Sequence, residues 1–245
     1  VVQEGDVSNG TPLPSHPIAV LIPVLNRPQN AQPVVASLEL SDPHGLCRLL
    51  FICSPGDDAE IAACRRTGAD LLILDTLPGP GDFARKVQAG FDATDEPFIF
   101  QAADDVEFTD GWAEAALYAI DRDGGYGVCG TDDQANPLVM RGLHSTHSLI
   151  RRAYVDECGA SWDGPGTVFS TAYSHQWVDT ELVELAKVRG CFTFAHGSVV
   201  IHRHPLFDRS VPMDATYTRG LADGSADMAL FHRRQQDWLR QLAVA

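Results

Sequence analysis

Two adjacent carboxylates, Asp104 and Asp105, stand just past the apolar run Pro97-Phe98-Ile99-Phe100. A short apolar run bounded by polar residues reads as a buried strand. The carboxyl edge of such a strand in an α/β sheet faces the crevice where ligands bind. Paired carboxylates repel each other unless a cation or a proton joins them. Hard oxygen donors at that place suit Mg2+ or Mn2+ holding a substrate phosphate. Asp105 is the first candidate ligand, with Asp104 on the metal or on the ribose of a donor. Further along, Asp179 starts a helix-like stretch beside the apolar Trp177-Val178. A carboxylate there can take the proton of an attacking hydroxyl, although Asp near a helix start is also a common cap. Glu181 is the alternative base. His202 and His204 lie two apart in a strand-like run, so their imidazoles share one face. Either can reach a metal, with His202 preferred over His204.

These groups need a scaffold, and the chain spells one out. Residues 18–24, 48–53, 69–74 and 97–100 read as buried strands, each stopped by Pro, Gly, Asn or Asp. Between them, 29–40, 58–66 and 82–93 read as helices, with Asp57 or Asp58 capping the second and Asp82 the third. A further helix is expected over 111–120. Strands alternating with helices imply a mostly parallel sheet covered on both faces, with right-handed crossovers that line up the carboxyl ends of the strands. Asn26, Arg27, Asp57, Asp58, Asp104 and Asp105 then collect along one edge. After Gly124-Gly125 the alternation loosens. A strand is expected near 127–130, one or two over 138–151, a helix over 177–189, a strand over 191–202, a long loop over 204–227, and a final helix over 229–242. The expected division is one domain with a flexible arm at 1–17, halves at 18–125 and 126–204, and a loop with a helix at 205–245, to which the resemblance described below assigns a nucleotide-sugar-binding half, an acceptor half and a lid-like segment respectively.

Composition narrows the partners. The 245 residues are 44% hydrophobic and 21% charged, enough for one domain with a substantial core. The formal net charge of −15 argues against nucleic acid or an anionic membrane as the main partner. It leaves room for a nucleotide, because a metal and a few local cations can reverse the field inside one pocket. No apolar run approaches the roughly 20 residues of a membrane span. Residues 1–17 lack the basic and apolar regions of a signal peptide. The six cysteines form no C-x-x-C pair, and reduced thiols in a cytoplasmic protein are the expectation.

Six segments in order resemble a GT-A-type glycosyltransferase, close to the inverting nucleotide-sugar transferases. They are Ala19-Val20-Leu21-Ile22-Pro23-Val24-Leu25-Asn26-Arg27; the strand ending in Asp57-Asp58; Gly81 to Gly90; Phe98 to Phe108; Val178-Asp179-Thr180-Glu181-Leu182; and His202-Arg203-His204. The likeness runs over 18–204. Two positions depart from it: Lys86 stands where the third segment usually has Asn, and Ala103 stands where the metal motif has its first Asp. The resemblance implies an α/β GT-A (Rossmann-like) sheet with helices on both faces, a nucleotide-sugar donor, a Mn2+ or Mg2+ cofactor, and a glycan, protein or small-molecule acceptor. A UDP-sugar is the expected donor. It further implies that Asp57 or Asp58 reads the base opposite main-chain groups near Pro23 and Leu25. Arg27 and Arg85 would then counter phosphate charge, as Arg forks fit phosphate oxygens, and Asp179 would be the base. Trp112 and Trp162 are candidates to stack on sugars, or core anchors. The alternatives are a retaining transferase, a sugar-phosphate nucleotidyltransferase, a metal-dependent phosphoester hydrolase and a non-catalytic sugar-binding module.

Overall fold

Isoleucine, valine and leucine crowd the first strand because water reaches neither of its faces. In the computed structural model, which describes residues 16–242, β1 (Ile18–Pro23) is buried at every position. Ile18, Val20 and Ile22 point into one apolar core, Ala19 and Leu21 into another. A pleated strand imposes that alternation. β2 (Cys47–Cys53) and β4 (Phe98–Gln101) divide the same way. Leu49, Phe51, Phe98 and Phe100 join the first core, and Leu50, Ile52 and Ile99 the second. Residues of α1 (Ala31–Ser41), α2 (Asp58–Thr67) and α4 (Trp112–Arg122) complete the first core. Those of α3 (Asp82–Asp92), α5 (Arg152–Cys158), α6 (Val178–Val188) and α8 (Gly224–Leu242) complete the second.

With β3 (Asp70–Ile73), β5 (Val106–Phe108), β6 (Val128–Asp132), β7 (Ser148–Arg151) and β8 (Phe192–His202), the described strands make one sheet in the order β3-β2-β1-β4-β7-β6-β8-β5. Pairing is parallel from β3 through β4 and between β6 and β8. Only β7 and β5 run against the rest. The fold is therefore the expected α/β sheet, mostly parallel, with helices on both faces. No helix of the described residues is long and apolar enough to cross a membrane. The arm expected over 1–17 lies outside the described residues, apart from His16 and Pro17.

Helix α3 sits unusually close to the sheet. A Cβ on Gly90 would lie 3.0 Å from Leu21 Cδ2 and 3.1 Å from Ile52 Cδ1. That close approach seats the first turn of α3 beneath the carboxyl end of β1. Asp82 does not cap this helix as expected. Gly81 takes the cap position at φ +74, where a Cβ would lie 2.8 Å from the Thr171 carbonyl oxygen. Asp82 instead pairs with Lys86 at 2.9 Å.

Residues 138–151 yield one strand, β7, within the expected one or two, and α5 follows it directly. Two other features depart from expectation. β5 is an unexpected strand of three residues, held by its antiparallel partner β8. The long loop expected over 204–227 contains a helix, α7 (Ala215–Ala222), whose cap Asp214 accepts from the Tyr217 amide, and α8 begins already at Gly224. So short a helix with two glycines nearby owes its order to tertiary contacts rather than propensity.

Candidate active site

The acid pair lies in the turn 102–105, between the end of β4 and the start of β5. Each of those strands has a neighbour that delivers a histidine. Gln101 of β4 is opposite Ser148 of β7, which brings His147 beside Ala102. Val106 of β5 is opposite His202 of β8, which brings His202 beside Asp105. A cavity of about 460 Å³ opens at this point, and Pro23, Leu25, Arg27, Lys86, Asp104, Asp105, Asp179, His202 and His204 all line it.

Arg27 is the electrostatic centre. Its Nη1 lies 3.1 Å from Asp104 Oδ1 and 3.5 Å from Asp105 Oδ2, and its Nε donates to Asp214 at 3.0 Å. The guanidinium lies flat over the Tyr217 ring, 3.5 Å from its centroid, a geometry that favours cation–π attraction. The Tyr217 hydroxyl donates to Asp105 Oδ2 at 2.9 Å. His202 Nε2 faces Asp105 Oδ1 at 3.5 Å. α7 thus closes over the acid pair through Asp214 and Tyr217.

The two carboxylates are driven apart in acidity. Burial and the neighbouring Asp105 push Asp104 up. Burial works the same way on Asp105, but His202 and Arg27 outweigh it and hold that carboxyl well below the usual range. Burial alone would lower His202, yet Asp105 raises it. Burial and the adjacent His202 hold His147 down at about 3 and His204 at about 4, so both are neutral near pH 7.

On the far wall, Asp179 pairs with His144 at 3.2 Å and accepts from the Thr180 amide at 2.8 Å. Burial would raise it, but His144 overrides burial and lowers it. The N-cap of α6 is Trp177 and carries no side-chain cap bond, so Asp179 is not serving as the cap. Trp177 itself lines the cavity at φ 73. A bulky residue in the left-handed region is a true outlier and costs about 1–3 kcal/mol. It is held there by Asp227, which accepts from the amides of Ser174, His175 and Gln176, and by the Phe231 ring at 5.3 Å.

Other sequence candidates are taken up by structural contacts. Lys86 is buried and donates to the Val24 carbonyl at 2.8 Å. Asp57 caps α2 and accepts from the exposed Asn26's amide at 2.7 Å; neither it, Asn26 nor the exposed Asp58 lines the cavity. Arg85 donates to the Pro80 carbonyl, outside the cavity. Glu181 is turned away from it and buried. Ser161, Trp162 and Tyr173 donate to its carboxylate, and Arg234 forks onto it at 2.8 and 2.9 Å. A carboxylate so fully engaged is not free to take a proton, which removes the alternative base. Trp112 packs at 0% exposure between Phe100 and Phe108, and Trp162 against Trp238. Both are anchors, not sugar platforms.

A divalent cation fits the donors present. Asp104 Oδ2, Asp105 Oδ1 and His202 Nδ1 are buried without hydrogen-bond partners. Among the described residues no three His, Cys, Asp or Glu side chains close around one point. Mg2+ and its relatives do not require that, because they keep waters and take substrate phosphates beside one or two protein ligands.

No protein-family model matches the sequence, and no curated protein does. Solved structures do match. Glucosyl-3-phosphoglycerate synthase from Mycobacterium tuberculosis, in complex with Mn2+, UDP and glucosyl-3-phosphoglycerate, superposes at a TM-score of 0.56 over 83% of this chain and 75% of that one, with 14% identity. A mannosyltransferase from Pyrobaculum calidifontis, in complex with GDP-mannose and Mn2+, superposes at 0.60 over 78% of this chain and 59% of that one, with 13% identity. The chain has the GT-A glycosyltransferase fold.

Proposed function

We propose that the protein is a metal-dependent glycosyltransferase that moves a sugar from a nucleoside-diphosphate sugar, a UDP-sugar first of all, to an acceptor hydroxyl. The observation that carries this reading is the acid pair facing His202 across the β5–β8 ladder, in one cavity with Asp179. The complexes of the fold neighbours with UDP or GDP-mannose and Mn2+ support it. Asp105 and His202 would hold Mn2+ or Mg2+, which supplies Lewis-acid stabilisation of the departing diphosphate.

The chain's own residues do the rest. Arg27, once released from the acid pair, turns its fork to phosphate oxygens. Asp104 accepts from a ribose hydroxyl. Lys86 pins the Val24 carbonyl and so fixes the strand end at Pro23 and Leu25 that borders the base. Asp179, kept ionised by His144, takes the acceptor's proton as its oxygen attacks the anomeric carbon. A base on the acceptor side fits a single displacement with inversion, which product anomer analysis tests.

The primary test is a screen of nucleotide sugars with and without Mn2+. A donor at 100 times its Kd stabilises by about 2.7 kcal/mol, which raises the Tm of a chain this size by roughly 5–10 °C. UDP-sugars should do so only with Mn2+, and slow release of UDP should follow. Phosphoester turnover without any donor binding would replace this reading with a hydrolase.

His144 sets the acid limb of the pH profile. The pairing depresses Asp179, so in the intact protein the base stays ionised below the ordinary carboxylate range. His144→Ala removes the positive neighbour and should move the acid limb of kcat/KM to higher pH. An unmoved limb would separate Asp179 from the titrating base.

Residues 205–223 act as a lid. Leu206 and Phe207 line the cavity while remaining about half exposed, at 57% and 43%; Tyr217 of α7 donates to Asp105, and its cap Asp214 holds Arg27. Closure over donor would exclude water and limit wasteful hydrolysis. Limited proteolysis in this segment should slow only when UDP and Mn2+ are present together. Equal cleavage in all four conditions would rule out the lid.

A further inference from the structure

Among the described residues Trp177 is the only tryptophan that lines the cavity. It is half-buried, and its backbone is its least expected property. Three helices open from a left-handed cap. α3 starts from Gly81 at φ 74 and ψ 8, and α4 from Gly111 at φ 75 and ψ 7. α6 starts from Trp177 at φ 73 and ψ −1. The three caps share one conformation, and glycine reaches it without strain. A bulky residue there is held at a cost in stability, so the turn itself does not call for an indole. Packing accounts for one side of the ring, where Phe231 lies at 35° with centroids 5.3 Å apart. The residue still borders the cavity, two positions before Asp179, which lines it too. Two residues span at most about 7 Å between Cα atoms, a distance that one sugar ring can bridge.

We infer that Trp177 is the platform for the acceptor and that the acceptor is a sugar, whose apolar C–H face lies on the indole while one of its hydroxyls reaches Asp179. This rests on the glycosyltransferase reading above. Covering that face removes apolar surface from water, and the hydroxyls on the rim of the ring stay available for hydrogen bonds. Transfer then joins the hydroxyl oxygen to the anomeric carbon of the donor as the bond from that carbon to the diphosphate breaks. The hydroxyl proton goes to Asp179, and the electron pair leaves with the diphosphate. Open-chain acids such as 3-phosphoglycerate have no ring face to lay on the indole.

Tryptophan fluorescence on the full chain with Mn2+ and UDP tests the platform without any substitution. The probes are the methyl α- and β-glycosides of glucose, galactose and mannose, with 3-phosphoglycerate as the ringless control. At least one glycoside should shift the emission, because Trp112, Trp162 and Trp238 do not line the cavity. The same glycoside should speed UDP release from a UDP-sugar, and the control should do neither. Trp177→Phe and Trp177→Leu both keep an apolar side chain at the strained cap, but only Phe keeps a ring. Affinity for UDP with Mn2+ checks that each variant is folded. Trp177→Leu should raise the glycoside KM by about three- to tenfold, the worth of one aromatic contact. Its kcat should change little, the mark of lost binding, and Trp177→Phe should keep most of the wild-type KM. Equal KM values in the two variants overturn the inference, as does a glycoside that speeds release without moving the emission. Release of UDP that no glycoside accelerates also overturns it and leaves the transferase reading standing. Failure to bind any nucleotide sugar with Mn2+ removes that reading as well.

Discussion

Asp105→Ala abolishes the dependence of UDP binding on divalent metal. In the intact protein Mn2+ should tighten UDP by about tenfold or more, equivalent to ~1.4 kcal/mol, because a free diphosphate otherwise brings more negative charge to two buried carboxylates. In the variant, affinity with Mn2+ should equal affinity with EDTA. The fold should survive the change. Arg27 keeps Asp104 at 3.1 Å and Asp214 at 3.0 Å, and the Tyr217 hydroxyl still has the Arg203 carbonyl at 3.1 Å. Neither Arg27 nor Tyr217 is left as an unpaired buried group, which is the usual route to severe destabilisation; the stability cost falls on His202, which loses the carboxylate 3.5 Å from its Nε2. Isothermal calorimetry decides the matter. Equal UDP affinities with and without EDTA in the wild type would sink the metal assignment.

The second large effect belongs to Asp179. Asp179→Asn preserves the size of the side chain and can still hydrogen-bond His144, but an amide cannot accept the acceptor's proton. Transfer should fall by about 10²–10⁴-fold, the usual cost of losing a general base. Donor affinity should stay within error, since the Asp179 carboxylate contacts His144 and Thr180 and neither Arg27 nor the acid pair. Near wild-type transfer would remove Asp179 from the chemistry, and Glu181 could not replace it while Arg234 and Tyr173 hold both of its oxygens.

That choice between two acids was partly available in the sequence. Residues two apart on a helix point roughly 200° apart, so only one of Asp179 and Glu181 can face a given cavity. Which one could not be read, because the network around Glu181 spans Ser161 to Arg234. The donor half was legible for a simple reason. Strands such as β1 and β4 are buried on both faces and so appear as unbroken apolar runs, and the turns that stop them hold the polar residues. β5 and α7 were not legible, being short and ordered by their neighbours. His144 and His147 read in the sequence as solvated or acceptor-facing, because residues 138–151 carry no clear period, and the burial of His147 appears only when β7 is laid against β4. Asp57 illustrates a different limit. A cap and a base-reading carboxylate look identical in sequence, and here Asp57 is visibly engaged in capping.

Asp227 and Phe231 touch no substrate, yet they order the segment that leads into Asp179. Both lie on α8, which follows every described strand of the sheet in the chain. Strands β1 through β4 can pair with one another while synthesis is still under way, since all four lie at or before Gln101, and only β4 awaits β7 on its other edge. The left-handed turn at Trp177 has no such early support. A domain generally folds as a unit, so the nucleotide edge and the acceptor side would become ordered together once α8 has been made. Competence for transfer would then arrive in a single late event, the docking of one helix.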